Sequence, residues 1–158
     1  MLSAQAIERI DRELTKFPAD QKQSAVMAAL AIAQAELGNL STETMNFVAG
    51  YLGMAPVAVY EVATFYSLYQ RAAGGRNRLR ICTNLPCVLS GAGEAAEHLK
   101  HKLGIGFGAV TADGAFKLEE GECFGACGDA PVVLHNERRM LIGMTPAKLD
   151  ELLAELAK

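Results

Sequence analysis

Ile7, Ile10, Leu14 and Phe17 recur at i, i+3, i+7 and i+10, one stripe of an amphipathic helix. Pro18 interrupts the pattern, and Asp20 with Gln23 forms a capping-box-like start for a second helix. That helix carries Val26, Leu30, Ala33 and Leu37 on one face and stops at Gly38-Asn39. Ser41 or Thr42 caps a third, with Met45, Val48 and Leu52 inward and Gly53 after it. Pro56 suits the first turn of a fourth, read from PVAV through Tyr69. Residues 1–73 thus read as a helical N-terminal domain.

Ala72-Ala73-Gly74-Gly75 is the clearest break in the chain, and beyond it the period changes. Arg78-Leu79-Arg80-Ile81-Cys82 alternates polar and apolar, the mark of a half-buried strand. Residues 88–103 read as one helix with Leu99 and Leu103 inward, and Phe116 and Leu118 mark a second strand near 115–120. Val132-Val133-Leu134 and Met140-Leu141-Ile142 flank a polar turn and read as a hairpin. Thr145-Pro146 opens a last helix with Leu149, Leu152, Leu153 and Leu156 along one face. Residues 74–158 are therefore expected to form a β-α-β-β-α domain, a small α/β layer behind a helical bundle.

Composition narrows the function classes. The chain has 158 residues, is 51% hydrophobic and carries a formal net charge of −3, so it can build a core without staples. A mildly acidic chain without a basic tract has no electrostatic footprint for nucleic acid or for an anionic membrane. The longest apolar stretch, Ala25 to Ala33, is about half of what a bilayer span needs. The N-terminus, MLSAQAIERIDREL, turns charged and amphipathic at once, unlike a signal peptide. A cytoplasmic setting is expected, and in a reducing compartment ordered thiols point to a metal or redox site.

The four cysteines fall into two pairs, Cys82-x4-Cys87 and Cys123-x3-Cys127, separated by one α/β unit. Cys82 and Cys123 are each expected to end a strand, so both loops meet at one end of the sheet. Pro86 stiffens the first loop; Gly121, Gly125 and Gly128 free the second to bring backbone N–H groups toward sulfur. On spacing alone three readings stay open: an iron–sulfur cluster, a structural zinc site with pairs at the loose end of the usual range, and disulfides. Glu119, Glu120, Glu122 and Asp129 place negative charge near the second pair. For a cluster, that favours the oxidised form and predicts a low potential, below the Rieske range that begins at about −150 mV.

The flanks decide more than the spacing. Cys82-Thr83-Asn84-Leu85-Pro86-Cys87-Val88-Leu89-Ser90-Gly91-Ala92 and Glu122-Cys123-Phe124-Gly125-Ala126-Cys127-Gly128-Asp129-Ala130-Pro131 resemble the thioredoxin-like [2Fe–2S] proteins. Within them, the match is to the small iron–sulfur subunits of the NADH dehydrogenase arm of bacterial complex I. Leu37-Gly38-Asn39-Leu40-Ser41, Val48-Ala49-Gly50-Tyr51-Leu52-Gly53 and Val62-Ala63-Thr64-Phe65-Tyr66 look like that family's helical extension. The resemblance implies a thioredoxin-like domain behind a helical bundle, with one [2Fe–2S] cluster on Cys82, Cys87, Cys123 and Cys127. It implies a subunit of an oxidoreductase and translocase, NADH:quinone oxidoreductase, that is not catalytic in isolation. It also implies a flavoprotein partner holding FMN and NADH, other peripheral-arm subunits, and a place on the inner face of the cell membrane without insertion. Related small subunits of NAD-linked formate dehydrogenases and NAD(P)-linked hydrogenases share the motifs. Beside these stand a zinc-stabilised adaptor and a thiol–disulfide enzyme, the latter disfavoured because neither pair is C-x-x-C.

Other features carry less. Gly104-x-Gly106-x-Gly108 follows a helix rather than a strand, so it reads as a connector and not a nucleotide loop. His98, His101 and His135 read as surface residues. Tyr60, Phe65, Tyr66 and Tyr69 widen the apolar arc of the fourth helix, which predicts both core packing and contact with a partner. No oriented acid/base set supports independent catalysis.

Overall fold

Seven helices and one four-stranded sheet make up residues 2–72 and 74–157, the part of the chain described by a computed structural model. They divide between two units, Met1–Ala73 and Gly74–Lys158.

In the first unit, α1 spans Ala4–Leu14 and begins at Ser3, whose hydroxyl accepts from the Ala6 N–H at 3.2 Å. Ile10 is fully buried, whereas Phe17 lies beyond the helix and is exposed, because the chain turns before Pro18. The expected capping box at Asp20 and Gln23 does not form. A 3₁₀ turn, Lys22–Ala25, leads instead into α2 (Val26–Leu37) with no side-chain cap. Val26, Ala29, Leu30, Ile32 and Ala33 are all buried, a wider arc than the single stripe read from sequence, while Leu37 at the end is exposed. Gly38 closes the helix in the left-handed region at φ 80°, the conformation that favours glycine there.

Ser41 caps α3 (Thr42–Leu52), accepting from the Thr44 N–H at 3.1 Å, and Met45, Val48 and Leu52 point inward as expected. Helix α4 runs only over Pro56–Phe65, four residues short of the expected end, because Tyr66 turns extended. That turn sends Tyr69 into the core, where its hydroxyl donates to the Met27 carbonyl at 2.8 Å. Gln34 ties the same segment down, donating to the Leu68 carbonyl at 3.0 Å and accepting from the Gln70 N–H. Ile10, Leu30, Val48 and Val59 form the centre of this core, each worth about 1.5–3 kcal/mol of burial.

In the second unit, β1 (Asn77–Cys82) lies between β2 (Phe116–Gly121), which is parallel, and β3 (Val133–His135), which is antiparallel. Strand β4 (Arg139–Leu141) completes the order β2-β1-β3-β4. The parallel pair requires a crossover. It is made by α5 (Leu85–Leu89) and α6 (Ala92–Leu103), where the sequence suggested one continuous helix. Gly91, at φ 97°, separates them. Asn136 and Glu137, both at positive φ, turn the hairpin from β3 to β4, which suits the right-handed strand twist. Helix α7 (Pro146–Leu156) starts at Thr145.

Period-2 alternation gives the sheet two unlike faces. Leu79, Ile81, Phe116, Leu118 and Val133 pack against Ala95, Ala96 and Leu99 of α6 and Leu149 and Leu152 of α7. On the opposite face Arg78 and Arg80 are only 3% and 8% exposed, far more buried than an alternating strand leads one to expect. The Gly104–Gly108 stretch is no loose connector. It hooks onto β2, with the Gly108 N–H donating to the Leu118 carbonyl at 2.8 Å and the Thr111 N–H to that of Phe116 at 2.9 Å.

Candidate metal centre

Strands β1 and β2 stop together. Cys82 is the last residue of β1 and pairs in register with Gly121, the last of β2. The Thr83 N–H still donates to the Gly121 carbonyl at 2.8 Å before the chains part. Thr83 also anchors the loop laterally, its hydroxyl donating to the Glu120 carboxylate at 2.7 Å. Asn84 then starts α5, with Pro86 in its first turn, and the helix carries Cys87 inward. Cys123 lies two residues past the end of β2 rather than at it, and Cys127 begins a 3₁₀ turn, Cys127–Asp129.

The four thiols occupy two environments. Cys82 and Cys87 are 1% and 2% exposed and form a small cluster with Ala92 and Val132, edged by Phe124, Ala126 and Ala130. Cys123 and Cys127 are exposed. Burial pushes the Cys87 thiol up to about 11, helped by hydrogen bonding to Cys82 and by the charges of Cys82 and Cys127, while a backbone hydrogen bond with Val132 opposes the rise. Cys82 Sγ donates to the Glu122 carbonyl at 3.2 Å, and the Gly125 N–H donates to Cys123 Sγ at 3.4 Å. Gly125 reaches that position in the left-handed region, at φ 74°.

Phe124 roofs the site, and Gly121 makes room for it. A Cβ at Gly121 would collide with the Phe124 ring and with the stem of Arg80. Sequence pattern gives Gly121 a value for freedom alone and leaves Phe124 without a role. The signal for Phe124 is a large apolar residue inside a glycine-rich cysteine loop.

Among the described residues, no three His, Cys, Asp or Glu side chains are gathered closely enough for a single metal ion. By exposure the four cysteines form a buried pair and an exposed pair. A mononuclear zinc site needs four ligands around one ion. A two-iron cluster divides its four thiolates between two irons.

The other flagged residues separate from the site. His98 bonds to Asp150 at 2.8 Å, His101 is exposed, and His135 meets Asn77 Oδ1 at 3.1 Å. Of the acidic group, Glu119 is engaged by Arg78, by Arg80 at 3.1 Å and by Lys117 at 2.7 Å, so it belongs to a buried ion network and not to the open anions of the loops. Glu120, Glu122 and Asp129 remain at the surface around the loops. In the first unit Tyr69 is core, whereas Phe65 is 81% exposed and Tyr66 partly so.

The family model for thioredoxin-like [2Fe–2S] ferredoxin matches residues 10–157. The chain is 40% identical over 130 residues to the mitochondrial NADH dehydrogenase [ubiquinone] flavoprotein 2 of Dictyostelium discoideum, covering 82% of this chain and 53% of that protein. It is 37% identical over 147 residues to NADH-quinone oxidoreductase subunit 2 of Thermus thermophilus, covering 93% of this chain and 81% of that one. To an NADH-quinone oxidoreductase subunit of Rhizobium meliloti it is 44% identical over 126 residues, covering 80% and 74%. Among solved structures, a chain of an NAD+-reducing [NiFe]-hydrogenase in the H2-reduced state superposes with a TM-score of 0.71 at 21% identity, covering 81% of this chain and 22% of that one. This last likeness concerns the fold alone. The chain thus spans about half the length of the Dictyostelium relative and about a fifth of the hydrogenase chain, but most of the bacterial ones. With these matches over nearly its whole length, the chain belongs to the thioredoxin-like [2Fe–2S] ferredoxin family, among the small subunits of NADH-quinone oxidoreductases.

Proposed function

We propose that this chain holds one [2Fe–2S] cluster on Cys82, Cys87, Cys123 and Cys127 and serves as the electron-transfer subunit of the NADH dehydrogenase module of complex I. It would stand next to the subunit that binds NADH and FMN. The observation that carries the reading is the common end of β1 and β2. The Cys82–Gly121 register brings a buried and an exposed cysteine pair to one end of the sheet. The donor set is all sulfur, as such a cluster requires.

The bound cluster supplies one-electron storage, accepting an electron and returning it. The chain's own residues make the site fit for that. Cys82 and Cys87 would hold the cluster as thiolates, so Cys87, whose proton burial favours, would have to lose it, and the Cys82 thiol would no longer donate to the Glu122 carbonyl. The Gly125 N–H, which donates to Cys123 sulfur, would share thiolate charge there. Phe124, Ala126 and Ala130 shield the inner pair from water. Exposed Cys123 and Cys127 would put the outer edge of the site at the surface, where a partner could approach it.

Residues 1–73 are proposed as the family's helical extension, and exposed Phe65 supports its contact with a neighbouring protein of the complex. No helix among the described residues is long and apolar enough to cross a membrane. The proposed place is accordingly peripheral, reached through the complex. The equivalent small subunit of an NAD(P)-linked hydrogenase is the second reading, and the hydrogenase superposition adds a shared fold to it and no more. The higher identity to quinone oxidoreductase subunits favours the first.

Anaerobic purification tests the proposal. The expected product is coloured, holds about two irons and two acid-labile sulfides per chain, and gives an S = 1/2 EPR signal after dithionite. A colourless, zinc-loaded product without that signal ends the reading. Co-purification with an FMN-containing subunit distinguishes complex I from the hydrogenase alternative, according to which flavoprotein is recovered.

A further inference from the structure

Arg80 and Cys82 are two residues apart on β1, so they share a face of the sheet, with Cα atoms about 7 Å apart. The stem of Arg80 leans toward the site: its Cγ lies 2.8 Å from where a Cβ on Gly121 would stand, and Gly121 is the register partner of Cys82. The Phe124 ring that roofs the cysteines meets that same position. Behind this contact lies a buried ion network. Arg78 and Arg80 both reach Glu119 and Glu137, with Arg80 at 3.1 Å and 3.2 Å, and Lys117 joins Glu119 at 2.7 Å. The two arginine side chains are 4% and 9% exposed and the two carboxylates 16% and 19%, so salt screens them far less than the open acidic residues of the loops.

We propose that this buried network is a potential-setting device, in which Arg80, oriented by Glu119 and Glu137, places a fixed positive charge beside the cysteine site and raises the potential of whatever redox centre the cysteines hold. Arg80 acts here as a positioning and field-setting residue, not a catalytic one. The inference rests on the cluster reading above, because a potential needs a redox centre. Its physical basis is direct. One-electron reduction adds negative charge, and a buried cation stabilises the reduced form while a buried carboxylate opposes it. The exposed Glu120, Glu122 and Asp129 push the other way, but through water.

The test is EPR-monitored redox titration of the cluster in the intact protein. Arg80→Gln is expected to lower the midpoint and Glu119→Gln to raise it, each by about tenfold in the one-electron equilibrium, 59 mV. Arg80→Lys, which keeps the charge, is expected to hold the wild-type value. The shifts are expected to persist from about 0.1 M to about 1 M salt. A purely structural role would move both charge variants the same way or neither, and either result overturns the proposal, as does a shift that disappears in high salt. If Arg80→Gln does not hold a cluster, the sign of the Glu119→Gln shift decides alone. A wild-type protein without an EPR signal sinks the cluster assignment itself; a normal signal with unmoved midpoints sinks only this inference.

Discussion

Gly121 ends β2 at a place where a side chain has nowhere to go. The Phe124 ring and the Arg80 stem occupy the space a Cβ would need, and Cys82 is its partner across the ladder. Gly121→Ala should therefore cost about 1–3 kcal/mol in a urea melt, the usual penalty of overpacking. It should also loosen the cluster, read as faster loss of visible absorbance in air. Unchanged stability and bleaching would show that Phe124 swings aside freely. The same residue shows how sequence can name a position and miss its reason. Glycine was legible as loop freedom, but the need for space came from a phenylalanine three residues on and an arginine on another strand. Glu119 repeats the lesson. It reads as one of four anions near the cysteines, and pairing across the sheet ties its charge into a buried network with three cations.

At the scale of elements, ends were legible wherever a cap or breaker carried the mechanism. Ser41, Gly38, Gly53, Pro56 and Thr145 all mark boundaries that the fold uses. Asp20 and Gln23 have the same chemistry, yet the chain forms a 3₁₀ turn there, because local propensity is a weak prior against packing. The crossover helix is the clearest case of a division hidden from periodicity. Gly91, at φ 97°, lets α5 aim Cys87 inward while α6 turns to lie along the sheet. Gly91→Ala puts a Cβ in the left-handed region and should destabilise by about 1–2 kcal/mol. Gly93→Ala, two residues on within α6, meets open space and should instead stabilise by about 0.5–1 kcal/mol. Equal effects in thermal melts of the two variants would remove the distinction.

At the scale of the whole molecule, the cysteine cluster is separate from both main cores. Cys82, Cys87, Ala92 and Val132 pack together, whereas Leu79, Leu99, Leu118 and Leu149 fill the sheet–helix core without a cysteine. Removing iron by chelation under reducing conditions should therefore leave far-UV circular dichroism nearly intact. Amide exchange should rise in residues 83–91 and 121–131 and little elsewhere. Global loss of helix signal on iron removal would mean that the metal, not the cores, holds the fold.

Sequence by itself determined the two textures of the chain, most element ends and the two cysteine pairs with their flanks. These are local matters: side-chain period, capping chemistry and motif spacing act over a few residues. Only the tertiary structure decided that β1 and β2 end in register, which unites residues some forty positions apart. It also separated a buried from an exposed sulfur pair, and it placed two arginines inside the protein with their carboxylates. The physical reason is that burial and charge pairing are properties of neighbours brought by the fold, and an alternating strand looks the same in sequence whether its polar face meets water or Glu119 and Glu137.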